Sequence, residues 1–310
     1  MFSVIFPGQG SQLVGMGKDL YDKYNLVRNL FKEADETLGF SISNLILNGP
    51  KEELDLTENT QPAIFLLSYS IFKLTKEEFN IDLNKANFFA GHSLGEYSAL
   101  TSAGVLSFTN TLKILKIRGS AMQNSVPKGE GGMVAVLGSE IRIIENMINE
   151  NKTKYKCYIA NDNSVGQIVL SGNTEDLEKM MLDLKSANIK NIKLPVSAPF
   201  HCKLMNKATL IMKEEIAKLD FKEPKNILIS NVTGNIIANS NELKNLLVQQ
   251  IENRVRWRES ILLMVNRGIN QFIEIGPGKV LSGLIKRIDR NVKVSAINTE
   301  EDIKMIDINE

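Results

Sequence analysis

The chain has 310 residues, 43% of them apolar and 24% charged, with a formal net charge of +1. That length supports one large domain, or a large one with a smaller companion, and near-neutral charge argues against a protein held to nucleic acid by a broad phosphate-neutralising surface. Two cysteines, Cys157 and Cys202, make neither a disulfide framework nor a metal-type spacing, which suits a reduced, cytoplasmic protein without a metal.

Phe2–Phe6 reads as a buried strand closed by the breaker Pro7-Gly8-Gln9-Gly10-Ser11-Gln12. This start lacks the basic n-region of a signal or transit peptide. Helical periodicity follows over Leu20–Leu38 and Ala63–Lys76. The longest mostly apolar stretch, Ala63–Phe72, is about half of what crosses a bilayer. Asn87–Ala90 reads as a strand, and Glu96–Ala103 and Thr109–Asn124 as helices. Strand, Gly turn and helix in this alternation predict an α/β domain with a largely parallel sheet.

From Ser125 the pattern changes, after the breaker Pro127-Lys128-Gly129-Glu130-Gly131-Gly132. The order is strand Met133–Leu137, helix Ser139–Ile148, strands Cys157–Asn161 and Gln167–Ser171, helix Thr174–Ser186 and strand Ile189–Leu194. That is βαββαβ, the ferredoxin-like split unit. The expectation is a large α/β-hydrolase-like domain of residues 1–124 and 197–310, with an inserted ferredoxin-like subdomain at 125–196. Past Ser197 come strand Ile227–Asn231, helix Leu243–Ile251, strand Gln271–Ile275, a corner at Gly276-Pro277-Gly278 and a final helix.

The strand at Asn87–Ala90 runs into Gly91-His92-Ser93-Leu94-Gly95, the G-x-S-x-G pattern of a nucleophile elbow. Glycines permit the sharp turn, and the helix behind it offers orphan N–H groups to a developing oxyanion. The turn after the first strand can aim another N–H at the same place; it lacks the Lys-Ser/Thr ending of a P-loop. A serine nucleophile needs a base, and the chain has two histidines, His92 and His201. His92 adjoins Ser93, where neighbouring side chains diverge. By elimination His201 supplies the imidazole, unless it is a structural histidine. Cys202, beside His201, meets the same adjacency objection and is read as packing.

Arg118 has Ile114, Leu115, Ala121 and Met122 as its i±3 and i±4 neighbours. A guanidinium on an apolar face is costly unless paired, either with an internal carboxylate or with that of a substrate. In the second case Met122 is a candidate for the same substrate pocket. Between Arg254 and Arg290, eight Lys or Arg stand against three acids, either a solvated helix face or a docking patch for an acidic partner.

Six segments run in order along the whole chain: Phe6–Gln12, Gly91–Tyr97, Arg118-Gly119, Ala198-Pro199-Phe200-His201, Val255-Arg256-Trp257 and Glu274-Ile275-Gly276-Pro277-Gly278. Together they resemble the malonyl-CoA:acyl carrier protein transacylases of fatty-acid synthesis and their acyltransferase relatives in polyketide synthases. The resemblance implies that Ser93 is the acylated nucleophile, His201 its general base, and the backbone amides of Gln9 and Leu94 the oxyanion hole. It also implies that Arg118 grips the malonyl carboxylate and that the main-chain carbonyl of Gln250 orients His201, a Ser–His dyad in place of a triad. Phe200, immediately before the histidine, accompanies malonyl selection in such enzymes, since a ring there crowds an α-methyl. Arg254 and Val165 depart from the family pattern, which commonly has Pro at both positions.

The implied reaction carries malonyl from malonyl-CoA to the phosphopantetheine thiol of acyl carrier protein, in ping-pong order through a malonyl-serine ester. No cofactor is expected, since the partner carries the pantetheine, and neither nucleic acid nor membrane is an expected partner. A monomer serving fatty-acid elongation is the default. The alternatives are an esterase or thioesterase of α/β-hydrolase type, a polyketide-pathway acyltransferase and a non-catalytic carrier-binding module. An esterase would need an Asp or Glu triad member and would have no use for Arg118.

Overall fold

A computed structural model describes residues 1–196 and 198–308; Ser197, where the large domain is expected to resume, lies outside the described residues. The strands are β1 (Phe2–Phe6), β2 (Phe88–Gly91), β3 (Gly131–Leu137), β4 (Cys157–Ser164), β5 (Gln167–Asn173), β6 (Lys190–Lys193), β7 (Ile227–Leu228), β8 (Gln271–Ile275) and β9 (Lys293–Ile297). They form two sheets, one of order β7-β2-β1-β8-β9 and one of order β4-β5-β3-β6.

Every pairing in the first sheet is parallel. Its central strands β1, β2 and β8 are buried at every position, as expected where helices cover both faces. In such sheets, sites form beyond the carboxyl ends of the strands. Phe6 and Gly91 are register partners at the ends of β1 and β2, so the Pro7–Gln12 turn and the elbow emerge side by side.

The second sheet is antiparallel and carries the ferredoxin-like order. Alternation along β3 divides its two faces. Val134 and Val136 pack with Ile144, Leu177 and Met180 of the two helices, whereas Met133 and Val169 join the core of the large unit. β4 is tied to the loop before the helix Trp257–Asn266, where Asp162 N donates to Val255 O at 2.9 Å and Val255 N to Ala160 O at 2.8 Å. Beside this bridge Asp162, fully buried, accepts from Arg258 Nε at 3.0 Å and Nη2 at 2.8 Å.

Several expectations are corrected. The helix expected over Leu20–Leu38 is two, Lys18–Lys23 and Asn25–Leu38, broken at an extended Tyr24. Arg28 stabilises the break by donating to the freed carbonyls of Tyr21 and Asp22 at 2.8 and 2.7 Å. The helix expected from Ala63 begins at Thr57 and contains Pro62, because the stretch from Asn59 to Ser68 is buried at every position and its packing outweighs one lost hydrogen bond. The strand expected over Ile227–Asn231 stops at Leu228, and Asn231 turns to the elbow instead. Strand β9 and the helices Asn206–Ala217, Trp257–Asn266 and Glu300–Met305 are additions. The Arg254–Arg290 run is not simply a solvated face: Arg254 pairs with Glu145 and Arg256 with Glu259, both at 2.9 Å, and Arg258 pairs with Asp162.

Candidate active site

β2 passes through Gly91 into Ser93 and then into the helix Gly95–Ser102. A Cβ on Gly91 would fall 1.9 Å from the Gly95 carbonyl carbon, and one on Gly95 would fall 2.3 Å from Phe6 O. Both positions therefore exclude every other residue. Between them Ser93 takes φ 55°, a left-handed conformation costing a non-glycine residue about 1–3 kcal/mol. Two clamps hold it there. Ser93 N donates to Asn231 Oδ1 at 2.7 Å, and Ser93 O accepts from Gln250 Nε2 at 3.1 Å.

The bent backbone presents Ser93 Oγ to His201 Nε2 at 2.9 Å. The opposite nitrogen, Nδ1, faces Gln250 O at 2.8 Å; the carbonyl can only accept, so Nδ1 carries the proton and Nε2 is free to take one. Burial, and then the nearby Arg118 charge, push His201 down to about 3, so its ring is neutral at pH 7. A serine hydroxyl bonded to a neutral, oriented imidazole is the arrangement that general-base catalysis of ester formation requires. His92 is turned away, with Nε2 2.8 Å from Asn163 Oδ1 and its ring edge-on to Trp257 at 5.7 Å between centroids. Cys202 is buried and its thiol pushed up to about 12 by burial, an inert packing group.

Arg118, 1% exposed on the helix Phe108–Gln123, enters from the other side. Among the described residues no carboxylate forms an ion pair with it, although the buried Glu96 acts on it without contact. Its Nη1 donates to Gln61 Oε1 at 2.8 Å and its Nη2 to Gln250 Oε1 at 2.7 Å, with Ser93 Oγ 3.2 Å from Nη2. Neutral amide oxygens orient the fork without cancelling its charge. The Tyr97 ring lies 5.6 Å beneath it.

A cavity of about 210 Å³ opens over these groups, lined by Gln9, Leu94, Met122 and Phe200 together with Ser93, His201 and Arg118. The backbone N–H groups of Gln9 and Leu94 are unengaged among the described residues, as donors awaiting an oxyanion would be. Gln250, fully buried, reaches the site by its main chain and its side chain, and the fold still brings it to His201 with Arg254 in place of the common Pro. Sequence reasoning missed Gln61, Asn163, Asn231 and Glu96. Glu96 had a signal, since its helix is otherwise uncharged and buried throughout, the same argument that singled out Arg118. The three amides had none.

The model of the acyl transferase domain matches residues 3–302. The chain belongs to this acyl transferase family. The acyltransferase is 41% identical over 303 residues to the malonyl CoA-acyl carrier protein transacylase of Bacillus subtilis (strain 168), covering 97% of this chain and 94% of that one. It is 38% identical over 298 residues to the protein of the same name from Escherichia coli (strain K12), covering 96% of each. Among solved structures, the acyl-carrier-protein-S-malonyltransferase from Bartonella henselae superposes with a TM-score of 0.95 at 41% identity, covering 98% of this chain and 97% of that one. A type II PKS acyl-carrier protein in complex with its malonyl-transacylase gives 0.94 at 36% identity, covering 98% and 97%.

Proposed function

We propose that this acyltransferase moves a malonyl group from malonyl-CoA to the phosphopantetheine thiol of an acyl carrier protein through an ester on Ser93, supplying fatty-acid elongation in the cytoplasm. The observation that carries the reading is the buried Arg118, one bond from Ser93 and held only by neutral groups. Such a cation is suited to an acyl group that ends in a carboxylate.

Malonyl-CoA enters with its free carboxylate on Arg118. His201 Nε2 takes the Ser93 proton as Oγ attacks the thioester carbon, and the N–H groups of Gln9 and Leu94 receive the oxyanion. The C–S bond breaks, the CoA sulfur takes the proton back from His201, and a malonyl-serine remains. The carrier thiol then repeats the sequence in reverse, giving up its proton to His201 and leaving with the acyl group. Nothing in these steps calls for a cofactor. Support against an esterase comes from His201 Nδ1, which is backed by a carbonyl where a triad would have a carboxylate. Among the described residues no helix is long and apolar enough to cross a membrane.

Intact mass of the protein mixed with malonyl-CoA, with and without holo acyl carrier protein, tests the reading. A malonyl adduct that is absent in Ser93→Ala and moves to the carrier is expected. Rapid release of free malonate, with no transfer, overturns it.

A further inference from the structure

Glu96 is the one charged side chain of the buried helix Gly95–Ser102, and none of the steps above uses it. It is 2% exposed. Its Oε2 accepts from Gln250 Nε2 at 2.6 Å and from Asn231 N at 3.2 Å, while Oε1 has no partner among the described residues. Both of those partners are the clamps on the elbow. Asn231 Oδ1 holds Ser93 N and Gln250 Nε2 holds Ser93 O. Gln250 also presents Oε1 to Arg118 and its main-chain oxygen to His201.

A primary amide has two unlike ends, and this network leaves Gln250 one orientation. Arg118 can only donate, so the amide oxygen must face it, and the NH2 needs acceptors on the far side. Glu96 Oε2 is the nearer of the two it finds. With that acceptor gone, a flipped amide would set NH2 against the guanidinium, donor to donor, and the fork would lose one of the two oxygens that aim it. Burial also holds the Glu96 carboxyl up at about 7, so it accepts these bonds while competing less than a full carboxylate for the Arg118 charge.

We infer that Glu96 is a positioning residue for acyl selection: through Gln250 it aims Arg118 at the substrate carboxylate, and through Asn231 it braces Ser93, without touching substrate itself. The inference rests on the reading of Arg118 as the malonyl clamp. A residue acting this way alters the preference between acyl groups, because acetyl-CoA uses the same Ser93 and His201 but has no carboxylate for Arg118. A merely structural residue lowers both in proportion.

The test compares kcat/KM for acylation by malonyl-CoA and by acetyl-CoA in the wild type, Glu96→Gln, Glu96→Ala and Gln250→Met. In Glu96→Ala the malonyl-to-acetyl ratio is expected to fall by about ten-fold, the size of one lost hydrogen bond to a charged network. Glu96→Gln, which keeps the acceptor oxygen, is expected to hold the ratio within about three-fold of wild type. Gln250→Met keeps the main-chain carbonyl but not the amide, and should reproduce the fall; it stands alone if Glu96→Ala does not fold. Equal loss of both activities in Glu96→Ala, or an unchanged ratio in Gln250→Met, overturns the inference. A wild type without preference for malonyl-CoA overturns the reading of Arg118 beneath it, a separate outcome visible before any variant is made.

Discussion

Arg118 Nη2 and Ser93 Oγ stand 3.2 Å apart, so the buried cation and the candidate nucleophile belong to one hydrogen-bonded unit. The cation therefore has two effects. On the proposed reading it would give a negatively tailed acyl group a fixed place, and it disfavours a second positive charge on the His201 imidazole.

Arg118→Ala should lose malonyl-CoA acylation about 10- to 100-fold more than acetyl-CoA acylation, the range of a hydrogen-bonded charge pair. Arg118→Lys should recover only part of this, since one ammonium cannot hold both Gln61 and Gln250 and still grip a carboxylate through two donors. The ratio of kcat/KM values for the two donors is the readout, and equal losses count against the clamp.

The pH dependence of acylation should lack a histidine step in the usual range. Burial and Arg118 keep His201 neutral down to about 3, so its basic form is present throughout mild acid. Measured in Glu96→Gln, to remove the carboxyl that titrates close by, kcat/KM for malonyl-CoA should show no inflection between about pH 6 and 7. A histidine inflection there contradicts the buried neutral imidazole.

Two groups should tilt stability in opposite senses. His201 falls from 6.5 to about 3 on folding, so its contribution is intact above 6.5 and is lost as pH drops toward 3. Glu96 rises from 4.5 to about 7, so its contribution is intact below 4.5 and is lost as pH climbs toward 7. Between 4.5 and 6.5 the two slopes oppose each other. Glu96→Gln removes the falling one, and the urea midpoint of the variant should rise with pH more steeply than that of wild type across this window. Parallel curves would show that Glu96 is not held protonated.

Phe200→Ser should relax acyl selection. Phe200 is 7% exposed and lines the cavity beside His201. Removing the ring makes room for an α-methyl, and acylation by methylmalonyl-CoA should gain relative to malonyl-CoA, within the roughly 10–200-fold that one apolar clash supplies. Competition between the two donors, read by mass, checks this; an unaltered ratio removes Phe200 from the specificity argument.

Arg258→Met should destabilise the chain by about 3 kcal/mol or more, because it strands a fully buried Asp162 carboxylate without its counter-charge. Adding Asp162→Leu should restore most of the loss in chemical denaturation, since the pair replaced together leaves no bare charge. A double variant no better than the single one would place the cost elsewhere.

The parts of the site that were legible share a chemical trait. Ser93 is announced by the glycines its turn demands, His201 by scarcity, and Arg118 by a charge set among apolar helical neighbours. Glu96 obeys the same rule as Arg118. Asn231 and Gln61 carry no such mark, because an amide is unremarkable anywhere along a chain until folding brings it to a partner. In the fold, the alternation of strands and helices announced the antiparallel sheet and four of the five parallel strands, all but β9, whereas the break at Tyr24 and the early stop of β7 depend on contacts that no local pattern contains: the Arg28 side chain on two carbonyls, and Asn231 leaving its strand for the elbow.

The single tryptophan sits edge-on to His92, the residue next to Ser93. Its indole is fully buried and sealed from water. The molecule thus carries one indole fluorophore against the residue next to Ser93, and a change of its emission on acylation would let the acyl group be followed with no label attached.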